Sequence, residues 1–331
     1  MREYNIGISV IIPNYNGLEL FPQTIPTIFE ALAETKLENE IIIVDDCSTD
    51  DSVKYISENF PSIITIKNIK NSGFSKSVNI GVSHSSYQFV LILNSDVKLT
   101  KTFFTNQISH LSNPKVFGVM SKIIGWDNDK QQDGATYPIL ELFKIKTSTS
   151  YSYKHDDNQA RFTTYLSGAN MFIKKDIFYE IGEFDEIFSP YYSEDTELSI
   201  RAWRLGYLCI YEPKAICRHK ISYTMKKSQK KKNVDIIYNR NKFILHELAL
   251  TGISKLFWRL QLFIELIFRI ITLNFRFIKS YILYIKMFGE INRSIHRFNT
   301  SSKRLKQKKS FTDVKNFILN SITDEIKVQK D

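Results

Sequence analysis

Cysteine is scarce in this chain. Cys47, Cys209 and Cys217 are the only three in 331 residues, and no two form a CxxC pair. An odd, widely spaced set supplies neither a disulfide framework nor a zinc site, so a reducing cytosol is the simplest expected compartment. Long apolar runs are also missing. The N-terminal stretch MREYNIGISVIIP lacks the extended apolar core of a signal peptide, so none is expected. Ile8–Pro13 is far too short to cross a bilayer. The apolar C-terminal segment is interrupted by charges before any stretch reaches the roughly 18 residues of a spanning helix. No internal repeat is visible, which excludes a solenoid or a propeller.

What is present is charge, unevenly placed. The net charge is +10. Residues 214–331 carry about +18 and residues 1–213 about −8, the asymmetry of a basic tail behind a mildly acidic front. A basic, aromatic tail suits nucleic acid or an anionic membrane surface. The acidic front does not suit nucleic acid.

The front reads as alternating strands and helices. Strands are expected at Ile8–Ile12, Glu40–Val44, Ile63–Ile66 and Phe89–Leu93, each a β-branched or apolar run. Helices are expected at Leu18–Leu32, Asp51–Asn59 and Ser75–Ser83. Pro22 and Pro26 should confine the first helix to its later residues, and Ser48 or Asp50 can cap the second. Short connections between such elements imply a doubly wound, mostly parallel α/β sheet. Ligands of such sheets bind outside the carboxyl ends of the strands. The polar clusters after Ile12, Val44 and Leu93 all fall there, which makes them one candidate site.

The middle, 115–165, is expected to be less regular, with Trp126–Gly134 a loop and Ser148–Ala160 mobile. Order returns at Tyr165–Lys174, and a helix over Asp195–Leu205 should stop at Gly206. Residues 226–232 form a basic loop before a helix over Asn233–Thr251. Lys255–Gly289 reads as an amphipathic helix. Its charges, Arg259, Glu265, Arg269, Arg276, Lys279 and Lys286, take one half of the wheel. Leu260, Phe263, Ile264, Ile267, Ile271, Ile278 and Ile282 take the other. That pattern suits a helix lying in a membrane interface, or equally a packing or homo-oligomer surface. Residues 303–309 add a second basic cluster.

Six ordered segments carry a resemblance: ISVIIPNYNG, IIIVDDCSTDDS, NSGFSKSVNIG, LILNSDV, SGANMFIKKDIFYEIGEFDE and YSEDTELSIRAWRLGY. Together, over about residues 7–222, they resemble family 2 glycosyltransferases of the GT-A fold. The resemblance implies a catalytic domain over 1–222, with 223–331 a basic, helical, membrane-associating region. It also implies inverting transfer from a nucleotide-sugar, assisted by Mg²⁺ or Mn²⁺, to a glycan or lipid-linked acceptor. The chemistry is consistent with those residue types. A divalent cation on hard oxygen ligands offsets the charge of a diphosphate leaving group, and a carboxylate takes the acceptor's proton.

Residue by residue, Pro13, Tyr15, Asn16, Asp45 and Asp46 match the family's nucleoside contacts, Tyr15 packing on the base and the acids suiting the imide N–H of uracil or thymine. The same acids would also serve a helix N-terminus. Asn71, Gly73 and Asn79 match a second nucleotide-contact stretch, or a plain turn into a helix. Asn94, Ser95 and Asp96 stand at the metal-binding DXD position, with Asn94 in place of the first acid. Asp96 is then the motif's one carboxylate, and an Asx turn is the competing account of Asn94. Glu194–Asp195 matches the pair that supplies the base, with Asp195 as base and Glu194 a neighbour that orients or substitutes for it; the run Ser193–Asp195 equally suits an acid pair at a helix start, and both can hold together. His219 matches a metal or diphosphate ligand partnering Asp96, or a structural histidine. Gly168, Ala169, Asn170 and Asp185 match the acceptor pocket, or close-packed backbone. The QxxRW of processive polymerases is absent, so single-sugar addition is expected. Two other classes remain: a nucleotidyltransferase, although no Gly-rich triphosphate loop follows the first strand, and a non-catalytic membrane adaptor, for which the front carboxylates would have no use. The location implied is cytoplasmic, peripheral at the inner face of the cell membrane.

Overall fold

A computed structural model describes residues 5–153, 158–220, 231–322 and 326–328, with backbone alone for 231–233 and 326–328. Four parallel strands form its heart. They are β1 (Asn5–Asn14), β2 (Glu38–Asp45), β3 (Ile64–Lys67) and β4 (Tyr87–Leu93), lying in the order β3-β2-β1-β4. Helices α1 (Phe21–Ala33), α2 (Ser52–Asn59) and α3 (Phe74–His84) connect them. The unbroken apolar runs follow from burial on both faces. Val10, Ile12, Ile41, Ile43 and Leu91 pack with Phe21, Ile25 and Ile28 of α1. Their neighbours Ile11, Ile42, Val44, Val90 and Ile92 pack with Val78 and Val82 of α3. Successive side chains of a strand point to opposite faces, so both sets must be apolar. One helix departs from expectation. α1 begins at Phe21 and continues through Pro26. Pro22 sits in the first turn, where its missing N–H has no partner to lose, and Pro26 removes a single bond.

After β4 come β5 (Val97–Leu99), α4 (Thr105–Leu111), β6 (Val116–Gly125), β7 (Gln131–Asp133), β8 (Pro138–Glu141), β9 (Lys144–Thr147), β10 (Tyr151–Tyr153), β11 (Arg161–Phe162), β12 (Asn170–Lys174), α5 (Lys175–Ile181), α6 (Glu194–Arg204) and β13 (Leu208–His219). The main sheet runs β11-β13-β6-β12-β4-β1-β2-β3, with β12 antiparallel to both neighbours. The stretch expected to be irregular therefore holds β6 to β11, and the expected loop 126–134 contains β7. Apart from β6, these strands span two to four residues, too short for alternation to show in sequence. Residues 154–157 of the expected mobile stretch lie outside the described residues.

The C-terminal part comprises α7 (Lys231–Ala249), α8 (Gly252–Ile271), α9 (Phe275–Lys286), α10 (Phe288–Leu305), α11 (Phe311–Asn320) and β14 (Ile326–Val328), which pairs with β10. Residues 226–230 of the basic loop, and 221–222 at the expected boundary, lie outside the described residues. The single amphipathic helix expected over 255–289 is divided between α8 and α9, and residues 288–289 already belong to α10. Leu273 adopts a left-handed backbone (φ 53°), and the side chain of Asn274 caps α9 by accepting from the N–H of Phe277. Phe243, Trp258, Leu262, Phe277, Tyr284 and Ile291 form a core shared with Ile187, Phe188 and Ile200 of the front part. Val314 and Ile318 of α11 join the core of the main sheet. The two halves pack as one body.

Candidate functional site

The carboxyl ends of β1, β2 and β4 open on a cavity of about 560 Å³. On one side, Pro13, Asn14, Tyr15, Asp46, Asn71 and Gly73 line it. Asn14 ends β1 opposite Asp45 and donates to its carboxylate at 3.0 Å, while the Oδ1 of Asn14 is buried with no partner. Asp46 has a different task from Asp45. Its Oδ1 accepts from Asn68 Nδ2 and Ser72 N–H, and its Oδ2 from Gly73 N–H, each at 2.8 Å. The carboxylate is thus a clasp on the turn entering α3. Gly73 is required there: its φ is +85°, and a Cβ would lie 2.9 Å from Pro190.

Three residues that the sequence assigns to this side do not line the cavity. Asp45 accepts from Asn14 and from Ser48 N–H. The Oδ1 of Asn16 accepts from Thr49 and Asp50 N–H. Asn79 pairs with both the N–H and the carbonyl of Phe184. Their polar groups hold neighbouring segments in place.

At the centre lie Asn94, Ser95, Asp96 and His219. Pairing of β13 with β5 brings His219 opposite Val97, so its Nε2 stands 3.2 Å from Asp96 Oδ1. That distance fits an ion pair, but the oxygen receives no hydrogen bond and is buried. A buried carboxylate oxygen without a donor, beside an imidazole, is a donor pair whose chemistry fits a divalent cation. Among the described residues no group of three or more His, Cys, Asp or Glu could hold a metal.

Across the cavity stand Glu194 and Asp195 at the start of α6, with Ser167, Gly168 and Ala169 beside them. Asp195 accepts from Gly168 N–H at 3.2 Å and from Thr196 N–H at 2.6 Å. The helix is anchored by Ser199, which donates to Asp195 carbonyl and accepts from Leu166 N–H, and by the Trp203 indole on Thr163 carbonyl. Burial pushes Glu194 up to about 8, with the charge of Asp195 adding to it. Burial also raises Asp195, against the N–H groups of Gly168 and Thr196. Glu194 Oε2 has no partner. Behind them is a group that the sequence does not reveal. Asp133 of β7 accepts from Tyr165 Oη at 3.2 Å, and burial raises it to about 6. Phe74, Ser77, Pro190, Tyr191 and Tyr192 also line the cavity unanticipated, since an aromatic near a helix start carries no signal of its own.

Of the four acceptor residues expected, Gly168 and Ala169 face the cavity. Asn170 is fully buried in β12, donating to Ser121 Oγ at 2.7 Å and to Cys217 Sγ. Asp185 caps the short 3₁₀ turn Glu186–Phe188 and pairs with Arg297 at 2.8 Å. Both are occupied away from the cavity because strand alternation and a cap fix their direction.

The model of "Glycosyl transferase family 2" matches residues 9–182. An "Inactive polypeptide N-acetylgalactosaminyltransferase-like protein 5" of Macaca fascicularis is 28% identical over 50% of this chain and 41% of its own length. "Poly-beta-1,6-N-acetyl-D-glucosamine synthase" of Staphylococcus aureus is 25% identical over 64% of the chain and 49% of its own length. The chain thus spans less than half of these curated relatives. The crystal structure of "GalNAc-T7 with UDP, GalNAc and Mn2+" superposes with a TM-score of 0.63 at 13% identity, covering 96% of this chain and 57% of that one. At that identity the likeness is one of fold.

Proposed function

Since the chain belongs to glycosyl transferase family 2, we propose that it moves one sugar, with inversion, from a UDP- or dTDP-type nucleotide-sugar to a hydroxyl of a lipid-linked or surface glycan. The observation that carries this reading is the convergence of Asp46, Asp96, His219 and Asp195 on one cavity. The nucleoside lies against Pro13, Tyr15 and the Asn71–Gly73 turn, which Asp46 clasps. The diphosphate lies toward Asp96 and His219.

Those two residues would hold Mg²⁺ or Mn²⁺, which when bound offsets the charge of the departing diphosphate. Asp195 faces the acceptor. As the acceptor oxygen bonds to the anomeric carbon, the sugar–phosphate bond breaks, its electron pair leaves with the diphosphate, and the hydroxyl proton passes to Asp195. Burial, with the charge of Asp195 adding to it, pushes Glu194 up to about 8, which favours its protonated form near neutral pH, and Asp195, which accepts from Gly168 and Thr196 N–H, is assigned as the base. Protonated, Glu194 adds no negative charge beside an anionic donor.

The reading includes a location at the inner face of the cell membrane. Its support is an exposed apolar face on α8 and α9. Among the described residues no helix is long and apolar enough to cross a bilayer. Purified protein given a nucleotide-sugar, Mn²⁺ and a glycan acceptor should release free nucleoside diphosphate. Asp195→Asn should lower the rate by roughly 10²–10⁴-fold while leaving nucleotide binding intact. Near-normal turnover by that variant would remove the base assignment.

A further inference from the structure

The segment Phe188–Ser193 leads directly into Glu194 and Asp195, and it is gripped from two sides. On one side, Phe74 N–H donates to Pro190 carbonyl at 3.1 Å and Ser189 Oγ to Ser72 carbonyl. On the other is α7, which lies beyond the matched stretch 9–182. Asn241 of α7 is fully buried, and its amide nitrogen lies 2.6, 2.8 and 2.9 Å from the carbonyls of Phe188, Tyr191 and Tyr192. Arg240 donates to Ser189 carbonyl at 2.6 Å and also to Asn241 Oδ1, which fixes the direction of the amide.

The grip answers a need. Tyr192 and Ser193 are consecutive non-glycine residues with left-handed backbones, φ 79° and 71°. Such conformations persist only where the surroundings over-determine them. Their effect is to turn Tyr191 and Tyr192 into the cavity next to the catalytic carboxylates. Tyr192 then meets Tyr238 of α7, ring centroids 5.6 Å apart and nearly perpendicular, and Tyr191 meets Tyr192 in the same way at 5.0 Å. Tyr238 is 44% exposed. Three contacting aromatic rings thus run from the cavity wall to an exposed residue of α7.

We propose that α7 completes an acceptor subsite: Tyr191, Tyr192 and Tyr238 form an aromatic shelf for a pyranose ring of the acceptor glycan, and Asn241 is the positioning residue that holds the shelf. A pyranose has an apolar C–H face and a polar rim, which matches the amphipathic character of tyrosine. Tyr191 and Tyr192 share the cavity with Asp195, where the acceptor hydroxyl must arrive. The inference rests on the transferase reading for its ligand class.

The test is saturation-transfer NMR on the full chain with methyl pyranosides of the gluco, galacto, manno and N-acetylglucosamine series, with and without UDP and Mn²⁺. UDP affinity is measured in parallel. At least one glycoside should bind the wild type and Tyr238→Phe, and should weaken 10-fold or more in Tyr238→Ala and Asn241→Ala, with UDP affinity unchanged in all four. That split separates positioning from a general folding defect, which would lower both affinities. Tyr238 is exposed, so its variant tests the shelf even where Asn241→Ala fails to fold. Glycoside binding undiminished in Tyr238→Ala, or absent from a wild type that binds UDP, overturns the shelf. Retained glycoside binding with no affinity for any nucleotide would instead sink the transferase reading and leave the shelf standing.

Discussion

Glu194 concentrates the electrostatic cost of this site. Its folded pKa, about 8, lies above the ordinary 4.5 through burial first and the charge of Asp195 second. The native state therefore binds a proton that the unfolded chain releases at lower pH. The penalty is absent below pH 4.5, grows as pH rises through the window, and is complete above about 8. Glu194→Gln removes it. The variant should match the wild type in stability near pH 4.5 and exceed it at pH 8.5, by about 1.4 kcal/mol for each tenfold difference in proton affinity between the folded and unfolded chains. Urea titrations at the two pH values check this, and equal gaps at both would refute it. In activity, the wild type should lose turnover above about pH 8 as Glu194 ionises, and Glu194→Gln should lose that alkaline limb.

At this same scale the carboxylates are visible in sequence but their employment is not. The sequence assigns Asp46 to the nucleoside; Asp46 lines the cavity, and its oxygens also clasp the Ser72 and Gly73 N–H groups, a task the sequence does not announce. That engagement depends on a loop conformation that residue types do not encode. Asp133 gives no signal because β7 spans only three residues and the partner Tyr165 lies 32 positions away.

Between elements, the turn into α3 carries more than its own strand–helix join. Gly73 touches Pro190, so the donor-side turn and the segment before α6 are packed together there. Gly73→Ala puts a Cβ 2.9 Å from backbone atoms of Pro190 and forces a left-handed alanine. Neither strain can be relieved by rotating a side chain. The substitution should cost about 1–3 kcal/mol in stability and weaken nucleotide binding and turnover together. Thermal unfolding with a UDP titration measures both, and an unchanged melting temperature and affinity would show that the contact is idle. The elements themselves are largely legible. β1, β2, β4 and α3 coincide with the apolar runs that double-sided burial demands, each extended by one to three residues at one or both ends. What is not legible is the break at Leu273. An apolar stripe continues across it in sequence, and the break is made by one left-handed residue and the Asn274 cap.

For the molecule as a whole, the question is which way the amphipathic helices face. The wheel separates Leu260, Phe263, Ile264, Ile267, Ile271 and Ile282 from the charges, and the structure leaves those six between 44% and 73% exposed. The charged side of α8 turns inward. Arg259 meets Glu247, and Lys144 meets Glu265 at 2.7 Å, around the buried Trp258 and Leu262. A folded chain gains nothing by showing water such a stripe, since burying each large apolar side chain is worth about 1.5–3 kcal/mol. Exposed Lys279 and Lys286 on α9 add positive charge near the stripe, which favours an anionic lipid surface as its cover. Flotation with liposomes containing anionic lipid should carry the wild type upward. Phe263→Glu with Ile267→Glu should leave it at the bottom with UDP affinity unchanged, because neither residue lines the cavity. Salt should weaken the wild-type interaction without abolishing it, the apolar part being insensitive to screening. Equal flotation by the double variant removes the stripe from membrane binding. A wild type that stays down and sediments as a dimer, with the double variant a monomer, would assign the same face to a second copy of the chain.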